Sequence, residues 1–308
     1  MRGEEFQMKS EGRKKKKNEI RLSSIFFLFS LFFFLLFSCS SAPEPTGEIY
    51  VDRSDAVVQM NSANQAASRG QYDAALDIMK EAKRLAVSSD DPYLRVRTSI
   101  GLGDILFSMG DYDNAFEEWE KADKEGDASG EPVLAALARV YAIRAKLVMF
   151  TNGMRTDVDA EVLKVQLNSE MAIVKDDEIN NAIANITLGL AEKALGRWAE
   201  AESAVKKALA IHEGNHRLED AAYDWFLIAS IRSVAGDYNG ALEALREAIS
   251  LDRRTENGFG LASSWEAMGD VNDKVGRAED AQAAWSRAAE IYRAIGLPDH
   301  AESLESQL

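Results

Sequence analysis

Five times along this chain a glycine is followed by the same ladder of small and large apolar residues. The glycines are Gly70, Gly110, Gly196, Gly236 and Gly276. Alanine stands five residues after each (Ala75, Ala115, Ala201, Ala241, Ala281) and again twelve after (Ala82, Ala122, Ala208, Ala248, Ala288). Nine after is a larger residue: Met79, Trp119, Val205, Leu245 or Trp285. These offsets fall on one face of a helix with about 3.6 residues per turn. Seven residues before each glycine stands Ala63, Gly103, Gly189, Ala229 or Gly269, small enough for a second helix to approach closely. The unit is therefore a helical hairpin, reversed at a glycine that tolerates the left-handed backbone of a tight helix end. Such a hairpin cannot bury its apolar stripe alone, so the repeat demands a stack.

Successive turn glycines lie 40, 86, 40 and 40 residues apart. The long gap is about two periods, and Thr151-Asn152-Gly153 near its middle is itself a turn signal. A sixth, degenerate hairpin is predicted there, with helices over 135–150 and 158–174. Lys146 stands where the other hairpins have glycine or alanine. Pro92 and Pro132 each open a helical pattern, where a missing N–H costs nothing. Alanine is abundant and β-branched runs are scarce, so the chain beyond residue 50 reads as all-helical.

The arrangement Trp…Gly…Gly-x-Tyr…Ala…Ala, with Trp225 and Trp265 four residues before Ala229 and Gly269, resembles the tetratricopeptide repeat over approximately residues 54–296. The period of 40 exceeds that family's usual length of about 34 residues, which longer helices or loops accommodate. The resemblance implies an all-α, right-handed α-solenoid of about six hairpins over residues 54–308. The polar stretch from Pro298 to Leu308 suits a short C-terminal cap.

In that family the first helices line a concave surface where ligands bind. Carried over, the geometry gives a groove of Arg97, Ile100, Asp104 and Phe107; Ile143, Leu147 and Phe150; Ile186 and Leu190; and Tyr223 and Phe226. Met60, Asn64, Ile183, Ser230, Glu266 and Asp270 extend it toward its ends. The middle of the list is apolar and the ends are polar. An apolar patch open to water marks an interaction site, but helical spacing alone does not separate an inner face from packed core.

Residues 1–38 have another character. Arg13 and Lys14 to Lys17 precede an apolar run from Ile25 to Phe37, thirteen residues against the roughly 20 of a spanning helix. Basic segment, short apolar core and small-residue end read as a secretory signal. Leu36-Phe37-Ser38-Cys39 resembles a bacterial lipobox of the looser, spirochaete-like kind, with bulky Phe37 where most hold a small residue. The resemblance implies cleavage before Cys39, the chain's single cysteine, and its acylation with diacylglycerol and palmitate-type chains. Two or more chains hold a protein at a membrane where one does not. Pro43 and Pro45 within residues 39–53 read as an extended tether. The expected place is the bacterial cell envelope, lipid-anchored, on its periplasmic or extracellular face.

The whole chain carries a net charge of −15. Without residues 1–38 it holds 28 basic and 47 acidic residues, a net −19. Such a surface repels phosphate backbones, which excludes nucleic acid as a partner class, and leaves membrane attachment to the lipid. One string, His212-Glu213-Gly214-Asn215-His216, fits the H-E-x-x-H pattern of zinc hydrolases. Gly214 and Asn215 weaken the helix that two imidazoles one turn apart require, and the bland reading is a solvated loop. No catalytic constellation, metal set or cofactor motif stands out otherwise. The expectation is a non-enzymatic scaffold that binds a protein or peptide in its groove within an envelope complex. The alternative is a carrier of small hydrophobic ligands, similar to tetratricopeptide lipoproteins that partner TRAP-type transporters.

Overall fold

A computed structural model describes residues 51–305 of the protein. The expected leader, Cys39 and most of the tether lie outside these residues. Within them are thirteen α-helices and no strand. Helices α1 (Val51–Ser68) and α2 (Tyr72–Ser88) make the first hairpin, α3 (Pro92–Ser108) and α4 (Tyr112–Ala128) the second, and α5 (Pro132–Thr151) and α6 (Ala160–Val174) the third. Then follow α7 (Glu178–Ala194) with α8 (Trp198–Gly214), α9 (Leu218–Ala235) with α10 (Tyr238–Thr255), and α11 (Gly258–Lys274) with α12 (Ala278–Ala294). A last short helix, α13 (Pro298–Glu305), packs on α12 and buries Ala301 and Leu304, closing the final apolar face. The described helices include none long and apolar enough to cross a membrane.

The ladder read from the sequence is the hairpin contact itself. A Cβ placed on Gly103 would lie 2.4 Å from the Trp119 indole nitrogen, and one on Gly269 would lie 2.3 Å from Trp285 Cδ1. On Gly189 it would lie 2.5 Å from Val205 Cγ2. The residue seven before each turn is thus a socket and the residue nine after is its plug. Trp119 is 2 % exposed and donates its N–H to the Ile100 carbonyl at 3.3 Å, so the plug carries no unmet donor. The turn between them is set by Gly110, whose φ of +82° belongs to the left-handed region; its N–H reaches the Phe107 carbonyl at 3.0 Å and the Asp111 N–H the Leu106 carbonyl at 2.9 Å. Pro92 and Pro132 sit in the first turns of α3 and α5.

The third hairpin exists where the sequence places it, with a different interior. Gly153 has φ +72° and follows α5, but eight residues, 152–159, separate α5 from α6. Val162 and Val165, nine and twelve after Gly153, are 51 % and 63 % exposed. α6 buries Ala160, Leu163, Leu167 and Val174 instead. With its register displaced, α5 packs directly against α7 as well as α6.

The array also closes on itself. α1 touches α11. The Tyr72 ring meets Phe259 edge-on at 5.9 Å, and Gly70 is buried where a Cβ would lie 3.0 Å from Leu297 Cδ1 and 3.4 Å from Ile295 Cδ1. Burial in this clasp, with Asp104 adding to it, pushes the Tyr72 phenol up to about 12. The first helices of the hairpins therefore surround a hollow rather than an open groove.

Candidate functional site

The hollow is a cavity of about 340 Å³ lined by first helices from five hairpins and by the α8–α9 turn. α1 contributes Met60 and Asn64, and α3 contributes Arg97, Ile100 and Asp104. α5 presents Tyr141 and Arg144, α7 Ile183 and Ile186, and α9 Glu219, Asp220 and Tyr223. In α3 and α7 a plug and socket clamp the outer side and fix the side that points inward, whereas α5 is oriented by its packing on α7.

Charged and aliphatic side chains share the lining. Arg144 Nη2 lies 2.5 Å from Asp104 Oδ1, and its guanidinium sits 4.5 Å from the centre of the Tyr141 ring, a cation–π contact. Burial works against the Arg144 charge, but Asp104 outweighs it and holds the guanidinium protonated above its ordinary range. Arg217 Nε bonds Asp220 Oδ2 at 2.5 Å. The Tyr223 ring is 40 % exposed, yet desolvation raises its phenol. Tyr223 faces the hollow, where surrounding protein desolvates the phenol in part while the ring stays open to solvent. Burial likewise raises Tyr141 and, with Asp220 beside it, the Glu219 carboxyl.

Eight of the groove residues read from the sequence line the cavity: Met60, Asn64, Arg97, Ile100, Asp104, Ile183, Ile186 and Tyr223. Most of the apolar middle does not. Ile143 and Leu190 are 5 % exposed and Leu147 is 0 %; all three belong to the core where α5 meets α7. Phe107 packs between Tyr112 at 5.2 Å and Trp119 at 6.0 Å. Phe226 is partly buried against the core, stacked on Tyr223 at 6.5 Å, and Phe150 is half-buried outside the cavity lining. The expected greasy floor is therefore corrected to a mixed one, in which Met79, Ile105 and Ile179 join Ile100, Ile183 and Ile186 beside the charged side chains. In α5 the inward residues are Tyr141 and Arg144, twelve and nine before Gly153, because this helix packs on its neighbour α7 with the face that holds Ile143 and Leu147. The repeat register carried no signal for that rotation. Arg217 in the α8–α9 turn and Glu219 and Asp220 in the first turn of α9 were also missed, since the spacing taken from the turn glycines does not reach them.

The H-E-x-x-H string is not a solvated loop throughout. α8 runs to Gly214, and His212 is 2 % exposed, its Nδ1 2.7 Å from Oδ2 of fully buried Asp224 on α9. Burial pushes the Asp224 carboxyl up to about 6, against the pull of His212, and its Oδ1 finds no partner. His216 lies beyond the helix in solvent with φ +56°. One imidazole is thus locked inside a hairpin junction while the other is outside it. Among the described residues no group of three His, Cys, Asp or Glu is arranged to hold a metal.

With the geometry in place, similarities can be read. Residues 225–255, from α9 through α10, match the tetratricopeptide repeat. No curated protein matches the sequence. Among solved structures, a Rap protein complexed with competence and sporulation factor is similar with a TM-score of 0.56 and 15 % identity, over 82 % of this chain and 74 % of that one. BtubC from P. vanneervenii reaches a TM-score of 0.49 at 17 % identity, covering 78 % of this chain and 92 % of its own. PilW, a type IV pilus biogenesis factor, reaches 0.46 at 14 % identity, over 81 % and 97 %. At such identities the Rap likeness speaks for the fold alone, a tetratricopeptide-like helical solenoid.

Proposed function

We propose that this protein is a non-enzymatic, membrane-tethered scaffold that receives a partner polypeptide or peptide in its central hollow. The observation that carries the reading is the cavity itself. Three arginines and three carboxylates converge there (Arg97, Arg144, Arg217, Asp104, Glu219, Asp220), flanked by Tyr141 and Tyr223. Arg144 is withdrawn from solvent there while Asp104, Arg217, Asp220 and Glu219 stay within its reach, so the recess offers accessible groups of both signs to an incoming chain. Hydrogen-bonding and charged groups around a recess of this size suit a polar polypeptide. They do not suit the fatty ligand of the hydrophobic-carrier alternative. The likeness to a Rap protein complexed with competence and sporulation factor is in keeping with a fold that takes a partner.

The tether rests on sequence: a basic segment, a short apolar run and a lone Cys39. Membrane fractionation tests it directly. Cys39→Ala protein should move from the membrane to the soluble fraction, and unchanged partitioning would remove the anchor from the proposal. The binding role is tested by co-purification from solubilised membranes, comparing the native chain with an Arg144→Gln, Tyr223→Ala variant of unchanged helical content. A bound protein or peptide held by the native chain should be lost from the variant. Equal retention by both would sink the assignment of the hollow.

A further inference from the structure

The charges in the hollow do not cancel in the way their equal numbers suggest. Arg144 is taken by Asp104, and Arg217 by Asp220. Arg97, half-buried on α3, has no hydrogen bond or ion pair among the described residues, and neither has Glu219, exposed at the rim of the cavity at the start of α9. Two unmatched charges of opposite sign thus line one cavity. Arg69 and Arg217 pull the Glu219 carboxyl down, but burial and Asp220 outweigh them and its pKa stays raised. An anion would settle Arg97 and leave Glu219 as it is. A cation would do the reverse.

We propose that the hollow binds a small zwitterion, its carboxylate held by Arg97 and its ammonium by Glu219, with Tyr141 and Tyr223 covering the part between. This deepens the reading of the hollow as the binding site and rests on it. Arg97 is suited to the carboxylate end because a guanidinium presents two parallel donors to two oxygens. Phenol faces cover the middle of a ligand without demanding a particular side chain there. The volume of about 340 Å³ sits at the small end of the roughly 300–1,000 Å³ of small-molecule sites. The ligand class is therefore an amino acid or short peptide with both ends free. An internal stretch of a protein, which has neither end, is the competing occupant.

The experiment uses the full chain in detergent and two probe pools: the free amino acids, and tripeptides of the form Ala-Xaa-Ala. Each pool is offered unblocked, N-acetylated and C-amidated, and binding is read by calorimetry and thermal shift. The unblocked form of one pool should bind, which also tells amino acid from peptide. Either blocking group should weaken it at least tenfold. Arg97→Gln should lose the sensitivity to amidation alone, with Arg97→Lys restoring part of it, and Glu219→Gln should lose the sensitivity to acetylation alone. Neither side chain holds another in place, so both variants should fold, which circular dichroism checks. Blocked ligands binding as well as free ones, in a manner abolished by Tyr223→Ala, would overturn the zwitterion while leaving the hollow as the binding site. Failure of both pools overturns it too, and the co-purification above then decides the wider reading separately.

Discussion

The second and third hairpins stand side by side and are built on different terms. In α3–α4 a glycine socket, Gly103, receives Trp119, and the positions five, nine, twelve and sixteen after the turn are all buried (Ala115, Trp119, Ala122, Gly126). In α5–α6 the socket position holds Lys146, and the residues nine, twelve and sixteen after Gly153, namely Val162, Val165 and Ser169, are exposed. Lys146 reaches back instead to within 5.9 Å of the Phe116 ring. The third hairpin is held by its neighbours, through the core that α5 shares with α7, rather than by an internal plug. That is how a solenoid tolerates a degenerate repeat: stability is a sum over neighbours, and a weak unit survives between strong ones. It is also how the hollow acquires Arg144 and Tyr141, because a helix released from its socket can present another face.

The contrast is sharpest at the ninth residue. Trp119→Ala should destabilise the protein by about 3–5 kcal/mol, the usual cost of emptying an aromatic core site. Val162→Ala at the matched position should change stability by less than about 0.5 kcal/mol, as for an exposed residue. Urea unfolding of the two variants reads both. Comparable losses would mean that α6 is plugged after all.

A second test uses the sixteenth position, where successive hairpins meet. The second hairpin has Gly126 there, with a would-be Cβ 2.8 Å from the Ala135 nitrogen; the third has exposed Ser169. In the fifth it is Asp252, 2 % exposed and accepting from Asn257 at 2.8 Å. Burial, reinforced by Glu219, raises Asp252 from 3.8 to about 7. For an acid raised on folding, stability is full below the unfolded pKa and falls as pH rises toward the folded one. The loss here should develop between roughly pH 4 and 7 and reach up to about 4 kcal/mol. Asp252→Asn should flatten that slope and raise the melting temperature at pH 8, where a like-for-like change at Ser169 should do nothing. An unaltered pH profile in Asp252→Asn would remove Asp252 as its source.

The socket position gives a smaller effect. Sockets and plugs are matched in size along the chain: glycine faces Trp119, Val205 or Trp285, and alanine, at Ala63 and Ala229, precedes the unbranched-at-Cβ plugs Met79 and Leu245. Gly189→Ala would place its Cβ 2.5 Å from Val205 Cγ2 and 3.1 Å from the Ala201 carbonyl, so a loss of about 1–3 kcal/mol is expected. Adding Val205→Leu should recover part of it. Lys146→Ala, at the same position of the third hairpin, should be nearly neutral. Thermal melts of the three proteins distinguish a real socket from a conserved spacing without a contact.

These features differ in how far the sequence exposes them. Turn glycine, socket and plug are local and periodic, so the hairpins, their number and the existence of the third were legible. Gly153 marked the third turn although nothing after it followed the ladder. What could not be read was rotation. Ile143 and Leu147 share the spacing of Ile100 and Asp104, but an inserted stretch near 152–159 displaced α6 and let α7 cover them. Nor does periodicity report closure, since Tyr72 and Phe259 are far apart in the chain and each looks like one more aromatic in its repeat. The lining of the hollow depends on both: Arg97, Ile100, Asp104 and Tyr223 face it, while Phe107, Ile143 and Leu147 pack elsewhere.

Closure itself should show as the smallest of these effects, because it adds one contact to an array already held by its neighbours. The clasp brings Tyr72 of α2 to 5.9 Å from Phe259 of α11 in an edge-on pair. Such pairs are worth about 0.5–1.5 kcal/mol beyond the area they bury. A double-mutant cycle with Tyr72→Leu and Phe259→Leu isolates that coupling, since leucine keeps most of the apolar cover. A matched cycle on Phe116 and Trp119, 5.4 Å apart within the second hairpin, supplies the local reference. Coupling at the clasp of the same order as in the reference means that the first and sixth hairpins stay joined in solution and the hollow stays enclosed. Zero coupling at the clasp, with the reference intact, means an open superhelix. In that case the partial desolvation that raises the Tyr223 phenol and the Glu219 carboxyl is reduced further, and the helices that bring Arg97 and Glu219 to one cavity are no longer held together.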